Sequence, residues 1–311
     1  MAPRATRSAS RKARVTEAVA TGPLGALSHD ELGVIFDGLA DPLQPVVAVA
    51  FSSTCLGLRT PLRAALEVLQ QQHENAKALC CKAGEFYNDT SMTFQQMSCA
   101  ELAAAEHLSW NNQNLTADDM ATLAMILRTN GLPRLHQLSL YGNSLGDAGV
   151  RTLCEGLGRG QASIRFLVLG GNGFGPAGAE AIVAALRRGV MPELEQLHIT
   201  GSQIGNQSTA ALGASLRKLP ALKVLSLSAC AVGDEGVASL VDNLGKDGSK
   251  ALERILLRDN NITDAGMAKL AAALDAGWLP NLRSNANAFF VSGNPASAHA
   301  FKAVLDALWK R

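Results

Sequence analysis

The sequence predicts an α/β solenoid preceded by a small helical module, and two periodic patterns carry this prediction. First, apolar residues recur every 28–30 residues in the frame L-x-x-L-x-L-x-x-N-x-L, and internal similarity at such a period is the signature of a repeat architecture. Second, each unit continues with apolar residues at helical spacing. Because a short strand and one helix cannot bury their apolar faces alone, neighbouring units are expected to stack.

Each predicted strand is centred on one apolar residue. The centres of six units are Leu108, Leu138, Leu167, Leu197, Leu225 and Ile255. A seventh unit is out of step with this period. Counting back from the helical positions Phe301, Val304 and Leu308 places its centre at Phe289, so we expect a bulged loop of four extra residues around 284–287. The helix that follows, with Trp309 near its end, is expected to cap the open core.

The helix of each unit is predicted from residues 12, 15 and 19 positions after the strand centre, such as Val150, Leu153 and Leu157. These combined offsets resemble the leucine-rich-repeat family, in the long-repeat form of ribonuclease-inhibitor-like proteins. The resemblance covers residues 101–311, about seven repeats. It implies a right-handed horseshoe with parallel strands on the concave face and helices outside.

One turn contains a nucleotide-binding signature. Gly173, Gly175 and Gly178 spell G-x-G-x-x-G between an apolar strand and a helix, which is the local context of a dinucleotide-binding turn. Corresponding turns keep the second and third glycines, as Gly146 and Gly149 and as Gly233 and Gly236. The expected acidic ribose partner about 20 residues later is missing. We therefore interpret the motif as a repeat turn and predict no cofactor.

Other polar residues also fall on repeat positions. Asp147, Asp234 and Asp264 occupy one position just before a helix, where aspartate caps free amides. The resemblance implies that Asn143, Asn172 and Asn260 form a buried ladder, with Cys230 as a substitute. The histidines accompany no serine or cysteine motif, so we predict neither catalytic nor metal-binding residues and no enzyme activity.

Strand residues that flank each centre are predicted to face the concave side. An apolar centre with aromatic and arginine neighbours is typical of a protein-binding surface. We expect Phe166, Val168 and Val224 to be exposed on a monomer. The candidate partner-binding residues are Tyr141, Phe166, Val168, His198, Val224, Arg254, Leu256 and Arg258. The alternative is a mixed strand surface with no dedicated ligand. Because the strands have only two arginines, we do not expect nucleic acid as the ligand.

Residues 23–63 are predicted to form a helical module. Its pattern resembles the F-box motif at Leu27, Asp30, Leu32, Ile35, Phe36, Leu39, Val46, Val49 and Leu58. That resemblance implies docking on the Skp adaptor of cullin ubiquitin ligases. Two departures are Ser28, where the family has proline, and the lack of a tryptophan near Cys55. The alternative is a helical cap on the first repeat. Residues 64–100 are predicted to be a helix and a polar linker.

Charge and cysteine content indicate the surroundings of the chain less specifically. Residues 1–22 have five basic residues against Glu17, a net of +4, in a chain of net +1. This basic tail is predicted to be disordered; a transit peptide or a nuclear signal are the alternatives. Six cysteines without C-x-x-C spacing favour a reducing compartment. We therefore expect a cytoplasmic protein, with nuclear or organellar placement as alternatives, and no membrane partner.

Together these patterns predict a protein-interaction module, with an F-box-type substrate receptor as its most specific form. Two alternatives remain open. One is a scaffold or sensor similar to ribonuclease inhibitors and NOD-like proteins, without ubiquitin coupling. The other is a regulator similar to Ran GTPase-activating proteins, which share the repeat type.

Overall fold

A computed structural model describes residues 29–53, 62–83, 85–88, 93–129, 132–158, 163–245, 251–278, 281–282 and 289–310. The chain divides into two compact units, Met1–Ala78 and Leu79–Arg311. The predicted basic tail, the bulged loop, and the F-box-like positions Leu27 and Leu58 lie outside the described residues. No helix of the described chain is long and apolar enough to cross a membrane.

The N-terminal unit contains helices α1 (His29–Leu39) and α2 (Val46–Ser53) and most of α3 (Arg63–Ala83). Helical spacing places Leu32 and Phe36 on one face of α1, and both are buried in a cluster with Ala48, Leu62 and Leu69. This small core is what the apolar pattern of the helical module predicts.

The segment after α3 differs from its prediction. Instead of a linker, strands β1 (Glu85–Asn88) and β2 (Thr93–Gln96) pair as an antiparallel hairpin. The segment contains aromatic residues and threonine, which favour strands, and overall polarity concealed this preference. Helix α4 (Cys99–Ala104) follows, and its N-terminus is closed by a capping box between Ser98 and Glu101.

The second unit is built on a parallel sheet of seven strands whose spatial order follows the chain. The strands are β3 (His107–Ser109), β4 (Gln137–Ser139), β5 (Phe166–Val168), β6 (Gln196–His198), β7 (Val224–Ser226), β8 (Arg254–Leu256) and β9 (Phe289–Phe290). Predicted strand centres lie opposite one another, from Leu108 beside Leu138 to Ile255 beside Phe289. The register therefore confirms the frame, including the shift before the seventh unit.

One helix follows each of these strands. They are α5 (Ala117–Arg128), α6 (Gly146–Gly156), α7 (Pro176–Arg188), α8 (Gly205–Leu216), α9 (Asp234–Leu244), α10 (Asp264–Asp275) and α11 (Ala298–Trp309). Their predicted apolar positions, such as Leu153 and Leu240, are buried with the strand centres between sheet and helices. The fold is thus the α/β solenoid that the repeat predicts.

The polar ladder is present and buried. Asn143 Nδ2 donates to the carbonyl oxygens of Trp110 and Leu140, both at 2.8 Å. Its Oδ1 accepts from the amides of Gln113 at 2.9 Å and Leu115 at 3.0 Å. One side chain therefore satisfies backbone groups that would otherwise be buried without partners.

Cys230 occupies the same ladder position in its repeat. Its Sγ donates to the carbonyl oxygen of Ile199 at 3.2 Å, and its amide donates to Asn260 Oδ1 at 2.9 Å. Burial raises the pKa of the Cys230 thiol to about 11. A thiol held protonated in the core is a structural residue, as the ladder prediction requires.

A row of left-handed residues runs across the turns that follow the strands. The residue four positions after each strand centre has a φ between 53° and 77° in all seven units. The members are Asn112, Gly142, Gly171, Gly201, Ala229, Asp259 and Gly293. Glycine adopts this conformation without steric cost, whereas Ala229 adopts it against its preference.

Candidate protein-binding face

Five of the candidate residues lie half-buried on the concave side of the sheet. In each three-residue strand the central side chain enters the core, and its two neighbours face the concave side. On β5, β6 and β8 these neighbours are partly accessible rather than buried. The set comprises Phe166, Val168, His198, Arg254 and Leu256.

Tyr141 is the most exposed apolar candidate, with 46% of its surface accessible. Its ring lies against a glycine pair in the next repeat: a β-carbon on Gly170 would be 3.3 Å from Tyr141 Cδ2, and one on Gly171 would be 3.5 Å from Cε2. The amide of Tyr141 donates to Asn111 Oδ1 at 3.0 Å. The small neighbours leave the ring available at one edge of the concave face.

Val224 does not have the exposure that the sequence predicts. Its side chain is only 2% accessible. In the register it lies between Gln196 on β6 and Arg254 on β8, two longer residues. Ser226, two residues later, is equally buried. Val224 is therefore part of the floor of the face, and a partner would contact the residues around it.

A basic corner, consisting of His198, Arg254 and Arg258, borders this floor. His198 Nε2 lies 3.1 Å from Gln196 Oε1. Burial, and then the positive charge of Arg254, lower the pKa of the His198 imidazole. Arg258 is exposed. No described residue of β3 to β9 is acidic, while Glu253 and Asp259 adjoin Arg254 and Arg258 in the chain.

The glycine-rich turn is already occupied by an anion from within the chain. Asp147 Oδ1 accepts hydrogen bonds from the amides of Gly175 at 2.8 Å and Gly178 at 2.7 Å. A β-carbon on Gly178 would lie 2.9 Å from the same oxygen. Amides that would hold a phosphate in a nucleotide-binding turn instead hold this carboxylate. The interpretation as a repeat turn is confirmed.

The other predicted capping aspartates act in the same way, and each caps the helix of the next repeat rather than its own. Asp234 Oδ1 accepts from the amides of Thr263 at 2.8 Å and Gly266 at 3.0 Å, at the start of α10. Asp264 accepts from the amide of Ser297 at 2.6 Å, at the start of α11. The sequence spacing predicts that these aspartates accept hydrogen bonds from helix amides, but it does not predict that the amides belong to the helix of the next repeat.

Two helices lack such a cap because the preceding repeat has Ala117 or Pro176 at the aspartate position. Their first residues, Gly146 and Gly205, have φ values of 58° and 69°. Where a cap is present, the corresponding residue is extended, as at Gly175 with a φ of −119°. The turn conformation therefore follows the identity of one residue in the preceding repeat.

The described residues contain no group of three or more histidine, cysteine or acidic residues that could hold a metal ion. Burial raises the pKa of the Cys80 and Cys154 thiols, each to about 12. These two thiols are protonated at neutral pH and therefore poor nucleophiles.

The N-terminal unit exposes several valines, which we call the valine patch: Val34 on α1 and Val46, Val47 and Val49 on α2. Their exposed fractions are 73%, 74%, 56% and 47%. Two F-box-like positions, Val46 and Val49, thus lie at the surface, while Leu32 and Phe36 form the core. Several exposed valines on a small unit favour a contact surface.

Comparison with known proteins agrees with this geometry. A family model described as a leucine-rich repeat matches residues 161–183, 218–241 and 250–271. The fold and the matched units define a leucine-rich-repeat solenoid. The matched repeats begin after the helical module, so this match does not support the F-box resemblance.

Among curated proteins, the chain is similar to ribonuclease inhibitors. It is 32% identical to the Sus scrofa ribonuclease inhibitor over 170 residues, covering 54% of this chain and 36% of the inhibitor. It is 28% identical to NACHT, LRR and PYD domains-containing protein 5 of Bos taurus over 184 residues, covering 58% of this chain and 16% of that protein. The match thus spans about a third or less of these relatives.

Proposed function

We propose that this chain is a protein-binding module and that its concave face holds the partner. The observation that carries the proposal is the partly accessible apolar group of Phe166, Val168 and Leu256, with Tyr141 at one end and the basic corner at the other. Aromatic and arginine side chains around an apolar centre are the residues that contribute most at protein interfaces.

The similarity to ribonuclease inhibitors supports a binding role, because those relatives are named as inhibitors of a ribonuclease. A solenoid of stacked repeats also offers an extended concave surface, which is the common binding surface of such folds. The identity of the relatives' partner does not transfer, since the candidate contact residues belong to this chain.

The charge of the face suggests the chemistry of the partner. Arg254 on β8 and the exposed Arg258 that follows this strand carry positive charge, and no described residue of β3 to β9 is acidic. A partner segment with acidic residues beside apolar ones is complementary to this arrangement. Its association should slow as ionic strength rises, because salt screens the attraction between exposed charges.

The experiment is affinity capture with the full chain, followed by mass spectrometry. Phe166→Ala and Arg254→Gln should each lose proteins that the unaltered chain retains. Glu180→Ala, an exposed substitution on α7, is the matched control and should retain them. Identical capture by all variants, with thermal unfolding unchanged, would mean that the partner binds elsewhere.

The valine patch favours a second candidate, docking on the Skp adaptor through the helical module. Exposed Val46 and Val49 fall on positions of the F-box resemblance and are free of the unit's own core. Purified adaptor should co-precipitate the full chain but not Val46→Glu. Val68→Glu, at another exposed valine on α3, is the control. Failure of the unaltered chain to bind the adaptor contradicts this role and leaves the concave-face proposal intact.

A further inference from the structure

The last helix, α11, has an apolar side that its counterparts bury. In the six preceding helices, the residue sixteen positions after the strand centre is buried. These residues are Ala124, Cys154, Val183, Gly213, Val241 and Ala271. The row faces the next helix: a β-carbon on Gly213 would lie 3.2 Å from Leu240 Cα in α9. Each repeat therefore covers this position of the one before it.

In α11 the same row is occupied by Leu305, which is 38% exposed. Trp309, one turn later, is 68% exposed. Phe301, one turn earlier, is half-buried although its counterparts, such as Met120 and Met267, are fully buried. We call Phe301, Leu305 and Trp309 the α11 stripe. Val304 and Leu308 are buried like their counterparts in the preceding repeats, whereas Trp309 is exposed.

The orientation of α11 shows which way the stripe faces. Lys310 Nζ lies 3.3 Å from Asp275 Oδ1 at the end of α10. On a helix with 3.6 residues per turn, Lys310 and the stripe lie on opposite flanks of the core-facing residues Val304 and Leu308. The stripe therefore points away from α10, in the direction in which every other helix of the solenoid meets a neighbour.

Its composition is that of an interface. In the preceding helices the position of Trp309 is polar or glycine: Arg128, Gly158, Arg187, Arg217, Gly245 and Asp275. A helix face that meets only water is ordinarily polar. Here tryptophan, leucine and phenylalanine are spaced by four residues on one flank, the arrangement of a helix that packs against another helix.

We propose that the α11 stripe is the interface of a homodimer, in which α11 packs antiparallel against α11 of a second copy. With Leu305 on the two-fold axis, Phe301 lies opposite the partner's Trp309, and the same pair forms again on the other side. Such a self-complementary contact is the isologous arrangement of two-fold dimers. The occupant is a helix because the same row accepts a helix six times within the chain.

Charge complementarity supports the antiparallel pairing. Lys302 and Asp306 are exposed and lie on the outer border of the stripe, four residues apart. In the antiparallel pair, Lys302 comes within one turn of the partner's Asp306, and this contact also forms twice. A parallel two-fold pair would place Lys302 and Asp306 across the interface from the partner's Asp306 and Lys302, on opposite flanks, so this contact would not form.

Sedimentation velocity of the full chain over a concentration series tests the dimer. We expect reversible dimerisation, with Leu305→Asp and Trp309→Ala raising the dissociation constant at least about tenfold. Both residues are exposed, so thermal unfolding of dilute protein should not change. Tyr141→Ala and Val34→Ala, at exposed apolar positions elsewhere, should dimerise normally.

A charge exchange tests the orientation. Lys302→Asp alone should weaken the dimer, and Lys302→Asp combined with Asp306→Lys should restore it. A chain that stays monomeric throughout the series overturns the proposal, as does a dimer that survives Leu305→Asp. A dimer that is lost in Val34→Ala assigns association to the valine patch and equally overturns it. None of these outcomes bears on capture by the concave face.

Discussion

Asp147 Oδ1 accepts a hydrogen bond of 2.7 Å from the amide of Gly178, which belongs to the following repeat. The same oxygen accepts a second bond from the amide of Gly175 at 2.8 Å. One carboxylate thus satisfies two of the free amides at the start of α7 and opposes the positive end of that helix. This contact explains why a glycine motif typical of nucleotide binding belongs to a repeat turn.

Removing this carboxylate should destabilise the solenoid. We expect Asp147→Ala to lower the free energy of unfolding by about 1–2 kcal/mol, the range measured for lost helix caps. Asp147→Asn keeps an acceptor oxygen and should cost less. Denaturant titration followed by circular dichroism measures both. Equal losses for the two variants would show that the hydrogen bonds to Gly175 and Gly178 are not what stabilises this turn.

Replacing a strained left-handed alanine should have the opposite effect. Ala229 has a φ of 53°, in a row where four of the seven positions are glycine. Ala229→Gly should raise the free energy of unfolding by up to about 1 kcal/mol, because glycine avoids the steric cost of this conformation. Ala214→Gly, at an exposed site within α8, is the control and should lower it by about 1 kcal/mol. A loss at both sites would argue against strain at Ala229.

The burial of Val224 separates the floor of the concave face from its contact residues. Val224→Ala removes buried carbon atoms and should lower the free energy of unfolding by about 2 kcal/mol. Leu256→Ala removes a half-buried side chain and should cost less stability while affecting partner capture more. Chemical unfolding and capture, measured on both variants, check this division. Full stability of Val224→Ala would return the residue to the exposed face that the sequence predicts.

The basic corner can be tested by titration. Burial lowers the pKa of His198, and the positive charge of Arg254 lowers it further. Arg254→Gln should therefore raise the pKa of His198 toward its ordinary value, without reaching it, because the imidazole stays partly buried. Proton NMR of the imidazole signals against pH measures the change. Arg187→Gln, on the exposed end of α7, is the control and should leave this pKa unchanged. An unchanged His198 pKa in Arg254→Gln would place Arg254 away from the imidazole.

The sequence predicts the repeat well because apolar spacing is a local property. The repeat period predicts each strand centre from Leu108 to Phe289, and the register confirms the series. The ladder at Asn143 and Cys230 follows from the same frame. These features depend on position within one unit, which the period alone defines.

Features that depend on two units at once were harder to predict. The exposure of Val224 is set by the length of its cross-strand neighbours, Gln196 and Arg254. The amide that Asp147 caps, that of Gly175, lies about one repeat period later in the chain. The sequence of a single turn does not predict a contact at that distance. The hairpin of β1 and β2 is hard to predict because its aromatic residues and threonine lie within an otherwise polar segment.

The aspartate caps give the solenoid a direction. Asp147, Asp234 and Asp264 each serve the helix that follows and not the one before. Shortening the array from its C-terminal end would leave every surviving helix with the cap that it already has. Shortening it from the N-terminal end, up to any of these aspartates, would leave a first helix with free amides. The array should therefore tolerate the removal of repeats from its C-terminal end better than from its N-terminal end.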